Sequence, residues 1–380
     1  MKAAYLYLFP IKNAYSSFWM KETTQSLRQI LIVNMIYKIH LARMIPDLAV
    51  EKGPVVLSKQ ITLCQKATSH ARGLVNSVKI LLRYRKAYRN YLSVLKHIIQ
   101  KRYPTEAVLK NGQEITLRGF EVSYNIARLH DQTHARYNII DDMVLISDPT
   151  FTNSNDLKLK GGLYNGEVVN IFLDNVYRNF PVKGKIVLDL GANIADSCIY
   201  FALRGAERVI GVEPLLKNYE MAEENINLNN YSNKITVILA GCSVQNGSVN
   251  IDADLEKGIG RQIRGGANRG GAVPLLTLEQ ILQQNNVGEG ETVLKMDCEG
   301  CEYDVILSAS DDLLRRFSNI LIEYHYGYKH LKERLIKCNF DVSLVNVMGQ
   351  PGGPTAVPDP DRLGHWYYMG YIYANRERRN

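Results

Sequence analysis

The sequence predicts an α/β fold: a mostly parallel, Rossmann-like sheet with an antiparallel C-terminal hairpin, preceded by a basic helical N-terminal region. Three observations carry this reading. From Gly184 onward, apolar runs of strand length alternate with helical patterns, which is how a parallel sheet of βαβ units reads. The first run breaks at a glycine turn, in Val187-Leu-Asp-Leu-Gly-Ala-Asn193, the position where doubly wound folds seat a ligand. Before Pro104, apolar residues recur at helical spacing among an excess of Lys and Arg.

Residues 1–103 make the basic helical region. Leu27, Ile30, Leu31 and Met35, then Leu81, Leu82, Tyr88, Tyr91, Leu92, Leu95 and Ile98, predict two or three helices between Thr23 and Gln100, punctuated by Pro46 and Gly53-Pro54. The last, from about Val78 to Lys101, sets Arg83, Arg85, Lys86, Arg89 and Lys96 beside an apolar stripe, a composition suited to an interface or to packing on the main domain. Up to Tyr103 the chain holds 11 Lys and 7 Arg against 3 acidic residues, a balance of +15 within a total of +8. A basic first quarter on an acidic body points to an anionic contact, with peripheral contact to an anionic membrane surface favoured and nucleic acid the weaker candidate. A solvated helical face has the same composition.

Ile30 to Tyr37 is far shorter than the ~20 residues that span a bilayer. Met1 to Met20 lacks a small-residue cleavage site, so the expectation is a cytoplasmic protein, at most peripheral at a membrane. Six scattered cysteines fit a reducing compartment. Cys298 and Cys301 form a Cys-x-x-Cys, but no second pair completes a zinc site and no redox-type βαβ context surrounds them. They read as ordinary small residues in a turn.

Residues 104–159 read as a β-rich lead-in module, with a hairpin over Glu106 to Leu117 turning at Asn111-Gly112 and a second β-rich stretch from Ile139 to Phe151. Residues 160–380 form the main domain. Its strand runs are Ile186 to Leu190, Arg208 to Glu213, Ile235 to Ala240, Thr292 to Asp297 and Asn319 to Tyr324. Helices are expected to begin near Ala195, Leu215, Thr277, Tyr303 and Tyr328. Phe340 to Val347 and Trp366 to Ala374, with no helical pattern between them, are expected to form the antiparallel hairpin at the sheet edge.

The turn after the first strand has a single glycine, Gly191. A dinucleotide fingerprint needs Gly-x-Gly-x-x-Gly for backbone to close on a pyrophosphate, and Asn193 and Ala195 stand at the later positions, which weakens an NAD-dependent oxidoreductase. Glu213 ends the next strand, about 20 residues on, where a carboxylate can accept hydrogen bonds from both ribose hydroxyls of an adenosine. A strand-ending acid before Pro214 also suits a helix start.

Val187 to Ser197, Val209-Ile-Gly-Val-Glu-Pro214 and Leu294-Lys-Met-Asp-Cys-Glu-Gly-Cys-Glu302 together resemble the FkbM family of methyltransferases. Val273 to Leu278 and Gly370 to Ala374 are similar to that family's strand-then-helix lead-in and closing strand. The resemblance implies a class I methyltransferase fold, bound S-adenosyl-L-methionine and O-methylation of a hydroxyl on a sugar, glycolipid or secondary metabolite. By position, it implies that Asp189, Gly191 and Asn193 belong to the loop at the methionine end and Glu213 to the ribose. The full cofactor set expected is Asp189, Gly191, Ala192, Asn193, Asp196, Ser197, Glu213, Pro214, Gly241, Cys242 and Asp297. Ala195 stands where the family commonly has glycine, and is expected on the first helical turn.

Carboxylates suit the surroundings of a sulfonium cation, and Asp297 and Glu299 sit just past a strand's C-terminal end. Either can serve as general base if it reaches the acceptor hydroxyl. Glu302 reads as an acid at a helix N-terminus. Glu323 and His325 close the next strand as a second acid–base pair, histidine titrating near neutrality. The candidate catalytic residues are therefore Asp297, Glu299, His325 and Glu323. No metal is expected, since a hard cation needs more oxygen ligands than a carboxylate pair provides. Gly258 to Gly271, with Arg261, Arg264 and Arg269, reads as a mobile loop or a lid over the acceptor.

Overall fold

The computed structural model describes residues 78–131, 136–140, 142–147, 156–164, 168–250, 272–288, 292–325, 327–345 and 370–376. The chain divides into two units, Met1–Arg85 and Lys86–Asn380. In the first, 78–85 are helical. The helices expected before Val78 and the Gly258–Gly271 segment lie outside the described residues.

The helix expected from Val78 to Lys101 is interrupted at Tyr88–Asn90, before α1 (Tyr91–Gln100). Tyr88 bridges to Leu109 instead, Arg89 N donates to Val108 O, and the Asn90 side chain bonds Glu106 O and Val108 N. These contacts fix the break to the hairpin of β1 (Thr105–Val108) and β2 (Glu114–Leu117), which turns at Asn111-Gly112 as expected. A helix not foreseen, α2 (Phe120–Asp131), follows. Next comes an antiparallel sheet of β3 (Arg136–Ile140), β4 (Met143–Ser147) and β5 (Leu157–Lys160), then a π-helical turn at Val169–Leu173.

The main sheet uses β6 (Ile186–Leu190), β7 (Arg208–Glu213), β8 (Ile235–Leu239), β12 (Thr292–Met296), β13 (Phe317–Tyr324), β14 (Asp341–Val345) and β15 (Gly370–Asn375), ordered β14-β15-β13-β12-β6-β7-β8. β8 through β13 run parallel, and β15 is antiparallel to both neighbours. The C-terminal hairpin thus exists, with its second strand inserted between β13 and β14. Between β8 and β12 lies a small sheet of β9 (Gly241–Cys242), β10 (Gly247–Asn250) and β11 (Ala272–Leu276).

Helices α3 (Asp196–Leu203), α4 (Leu216–Leu228), α5 (Leu278–Gln284), α6 (Cys301–Ser308), α7 (Asp311–Arg315) and α8 (Lys329–Lys337) alternate with the strands. Their starts match the expected ones to within two residues, and α7 was not foreseen. β6, β7 and β12 are buried almost throughout, which is why they read as unbroken apolar runs. Strand order reverses at β6, so its carboxyl end, with those of β7, β12 and β13, forms the crevice where such sheets bind ligands. Among the described residues no helix is long and apolar enough to cross a membrane.

Candidate functional site at the carboxyl edge of the sheet

The β6–α3 turn is held from below. Gly191 N and Ala192 N both donate to Val212 O, and Asp297 N donates to Leu190 O. Gly191 has φ +82°, and a Cβ there would stand 1.9 Å from Asp297 O. Only glycine lets the two strand ends approach this closely. Asn193 and Ala195 also adopt left-handed backbone, with φ 49° and 63°. Ala195 is therefore the residue ahead of α3 rather than part of its first turn, and it occupies a conformation that glycine takes without strain.

Asp189 is fully buried, and its carboxylate faces the protein. Oδ1 pairs with Lys295 Nζ at 2.9 Å, and Oδ2 accepts from Ser197 Oγ at 2.5 Å and Cys198 Sγ at 3.3 Å. Lys295 also donates to Gly191 O at 3.1 Å and lies 3.9 Å from Asp297 Oδ2. Burial opposes its charge, but Asp189 and Asp297 outweigh that and hold it protonated well above the ordinary lysine range. This lysine joins the cofactor-side loop to the Asp297 turn, and sequence reasoning assigned it no role. The signal was present: a lysine inside the apolar run Thr292-Val-Leu-Lys-Met296 must be buried, and a buried lysine must be paired.

Glu213 is buried at the end of β7. Its Oε1 accepts from Leu215 N at 2.9 Å and Asn218 Nδ2 at 3.3 Å, and its Oε2 from Asn193 N at 2.9 Å. A carboxylate offers about four acceptor positions, so one on Oε2 is left over. Burial pushes Glu213 up to about 7 despite those donors. Pro214 and Gly241 stand side by side, a Cβ on Gly241 lying 3.9 Å from the proline ring, with Cys242 next in β9. Asp196 is also buried. Its Oδ1 accepts from Ser197 N, whereas Oδ2 and the Asn193 Oδ1 are buried without a hydrogen-bond partner among the described residues. Burial, helped by the charges of Asp189 and Asp297, raises Asp196 to about 7.

The second group gathers at the ends of β12 and β13. The Asp297–Glu302 turn places Glu299 at φ 58° and Gly300 at φ 124°. Glu302, in the first turn of α6 as expected, is fully buried and accepts from Cys298 N at 2.9 Å and Gly300 N at 2.7 Å. Its Oε1 also faces His325 Nδ1 at 3.2 Å, while His325 Nε2 stands 3.6 Å from Asp297 Oδ1 and 3.7 Å from Glu299 Oε2. Three expected residues, Asp297, Glu299 and His325, thus come together, while Glu323 acts on Glu299 through its charge.

Burial raises Glu299 to about 8 and raises Asp297 as well. For His325, burial lowers the pKa, but the Glu302 hydrogen bond and the surrounding carboxylates prevail and push it up to about 10. The expectation of a histidine titrating near neutrality does not hold in this carboxylate cage. A further correction concerns Cys298 and Cys301, which are joined by a disulfide: the tight turn brings their Cα atoms to 5.5 Å, within bridging range.

Residues 189–342 match the family profile of the methyltransferase FkbM domain. The chain carries an FkbM methyltransferase domain. The match begins at Asp189 and spans the glycine turn, Glu213 and the Asp297–Glu302 block. No curated protein matches the chain. Similar solved structures include M. capricolum TrmK in complex with S-adenosyl-homocysteine, at 12% identity over 54% of this chain and 68% of that one, TM-score 0.34. Others are the ribosomal protein L11 methylase of Lactobacillus delbrueckii subsp. bulgaricus (14% identity, 61% and 90% covered, TM-score 0.32) and the magnesium protoporphyrin IX methyltransferase of Synechocystis PCC 6803 with bound SAM (11% identity, 56% and 79% covered, TM-score 0.29). The FkbM domain is an S-adenosylmethionine-dependent methyltransferase, and the residues present fit that cofactor. Gly191 holds the two strand ends together at the crevice, and the open acceptors of Asn193 and Asp196 suit a ligand that brings an ammonium group.

Proposed function

We propose that this chain O-methylates a hydroxyl on a sugar, glycolipid or secondary metabolite. The observation that carries the reading is the clustering of Asp297, Glu299 and His325 at the strand ends next to the Gly191 turn, with Gly191 packed on the Asp297 backbone. A methyl donor held at that turn has these side chains as its neighbours. Asn193 and Asp196 take the ammonium end of the cofactor, Glu213 a ribose hydroxyl through Oε2, and Pro214, Gly241 and Cys242 the adenine side.

Bound there, S-adenosylmethionine would supply an electrophilic methyl group, with its thioether as the leaving group. The protein's part is to seat the acceptor oxygen in line and to receive its proton on a carboxylate of this cluster. Position, not a covalent intermediate, provides the acceleration.

The reading of residues 1–103 as a peripheral membrane contact accords with a glycolipid acceptor. On α1, Leu92 and Ile99 are exposed beside Lys96, the mix of apolar and cationic side chains that suits an anionic interface. The test is methyl transfer from labelled S-adenosylmethionine to extracted glycans and lipids. Label is expected in an alkali-stable ether. Label in RNA instead, abolished by ribonuclease, would overturn the proposal.

A further inference from the structure

We infer that Asp297, Glu299 and His325 form a divalent-metal site that seats the acceptor, an inference that rests on the O-methyltransferase reading above and deepens it. Asp297 and Glu299 come from the turn after β12 and His325 from the end of β13. One ligand atom from each lies within 4.8 Å of the others. The His325 Nε2 distances, 3.6 Å to Asp297 Oδ1 and 3.7 Å to Glu299 Oε2, are too long for hydrogen bonds. They are close to the spacing of donors around one ion: two atoms each ~2.1 Å from a cation at tetrahedral to octahedral angles stand ~3–3.5 Å apart.

The surroundings support the same assignment. Glu302 Oε1 sits 3.2 Å from His325 Nδ1 and is itself fixed by two backbone donors. That is the carboxylate–histidine–metal arrangement, in which an outer carboxylate orients the ring and leaves the other nitrogen for the ion. Asp297 is divided, Oδ2 toward Lys295 and Oδ1 toward His325. Charge also suits a cation, because three carboxylates, Asp297, Glu299 and Glu302, converge on a single imidazole. Like charges drawn this close need a compensating partner.

No metal was expected from the sequence because a carboxylate pair gave too few ligands. The fold supplies the third from the next strand. One imidazole and two carboxylates suit a first-row divalent ion, with positions left for an acceptor hydroxyl and a neighbouring oxygen, as on a sugar ring. The ion lowers the pKa of the hydroxyl it holds. The ring binds in its neutral form, so metal binding displaces any proton on Nε2.

The test is calorimetric titration of the full chain, stripped with EDTA and dialysed, with manganese(II) chloride and separately with zinc chloride. S-adenosylhomocysteine is titrated into the same samples. One saturable metal site is expected, weakened at least tenfold in both Glu299→Gln and His325→Gln. No saturable binding of either ion, or equal binding by wild type and variants, overturns the inference. Should His325→Gln fail to fold, Glu299→Gln alone decides, since that side chain is partly exposed. Normal S-adenosylhomocysteine binding without a metal site refutes this inference alone. Absence of S-adenosylhomocysteine binding by folded wild type refutes the methyltransferase-site reading beneath it.

Discussion

Replacing Lys295 with Met leaves the Asp189 carboxylate at the centre of the sheet without its cation. The ammonium and the carboxylate are 2.9 Å apart, with side-chain exposures of 3% and 0%, so neither partner can turn to water. Breaking a buried pair from one side costs about 3–5 kcal/mol, because the stranded charge loses its compensation and keeps its desolvation. The bond from Lys295 to Gly191 O goes too. At the ~2 °C per kcal/mol suited to a unit of this size, the expected fall in Tm is roughly 6–10 °C. Urea unfolding of K295M and of the double variant D189N/K295M separates a buried-charge effect from simple loss of packing. The double variant is expected to be more stable than K295M by at least about 1 kcal/mol, since removing both partners strands no charge. If K295M lost less than about 1 kcal/mol, or if D189N/K295M were no better than K295M, the account of how the two halves of the site are joined would be wrong.

Gly191→Ala is expected to abolish cofactor binding and to destabilise the fold by several kcal/mol, because its Cβ would meet a backbone oxygen at 1.9 Å; calorimetry and thermal melting check both. Ala195→Gly is expected to raise stability by about 0.5–1 kcal/mol, relief of left-handed strain exceeding the added chain entropy of glycine; a higher urea midpoint at unchanged slope would show it. Glu213, pushed up to about 7, sets two pH trends of opposite sign. In the cofactor-free protein the protonated acid tolerates burial, so the stability it contributes is complete below its unfolded value near 4.5 and is lost as pH rises through about 7. Cofactor binding favours the ionised form, so affinity is expected to climb from pH 6 to 8, and the slope is expected to flatten in Glu213→Gln. Equal slopes in both proteins would refute the assignment.

What was legible in the sequence followed burial. β6 and β7 are covered on both faces, and unbroken apolar runs gave their limits to the residue. Helix α2 was not legible because buried polar residues interrupt its apolar stripe. Ser123 O accepts from Tyr88 Oη, and Asn125 Nδ2 donates to Leu163 O, so these positions face the interior for reasons that hydrophobic periodicity does not register. The break at Tyr88–Asn90 is likewise not legible from local periodicity, since it is imposed by pairing with a hairpin about twenty residues on. Asp297, Glu299, Glu323 and His325 were named from strand-end positions. Their charge state was not readable, because it depends on Glu302 meeting His325 across two strands. Lys295 passed unassigned as one residue of a longer motif, although its place in a buried strand required a partner.

The measurement closest to the central claim is calorimetric titration of the full chain with S-adenosylmethionine, wild type against Glu213→Ala. The account predicts one-to-one binding by wild type and at least a tenfold weaker affinity in the variant, about 1.4 kcal/mol. A silent titration of folded wild type, or equal affinities in the two proteins, would contradict it.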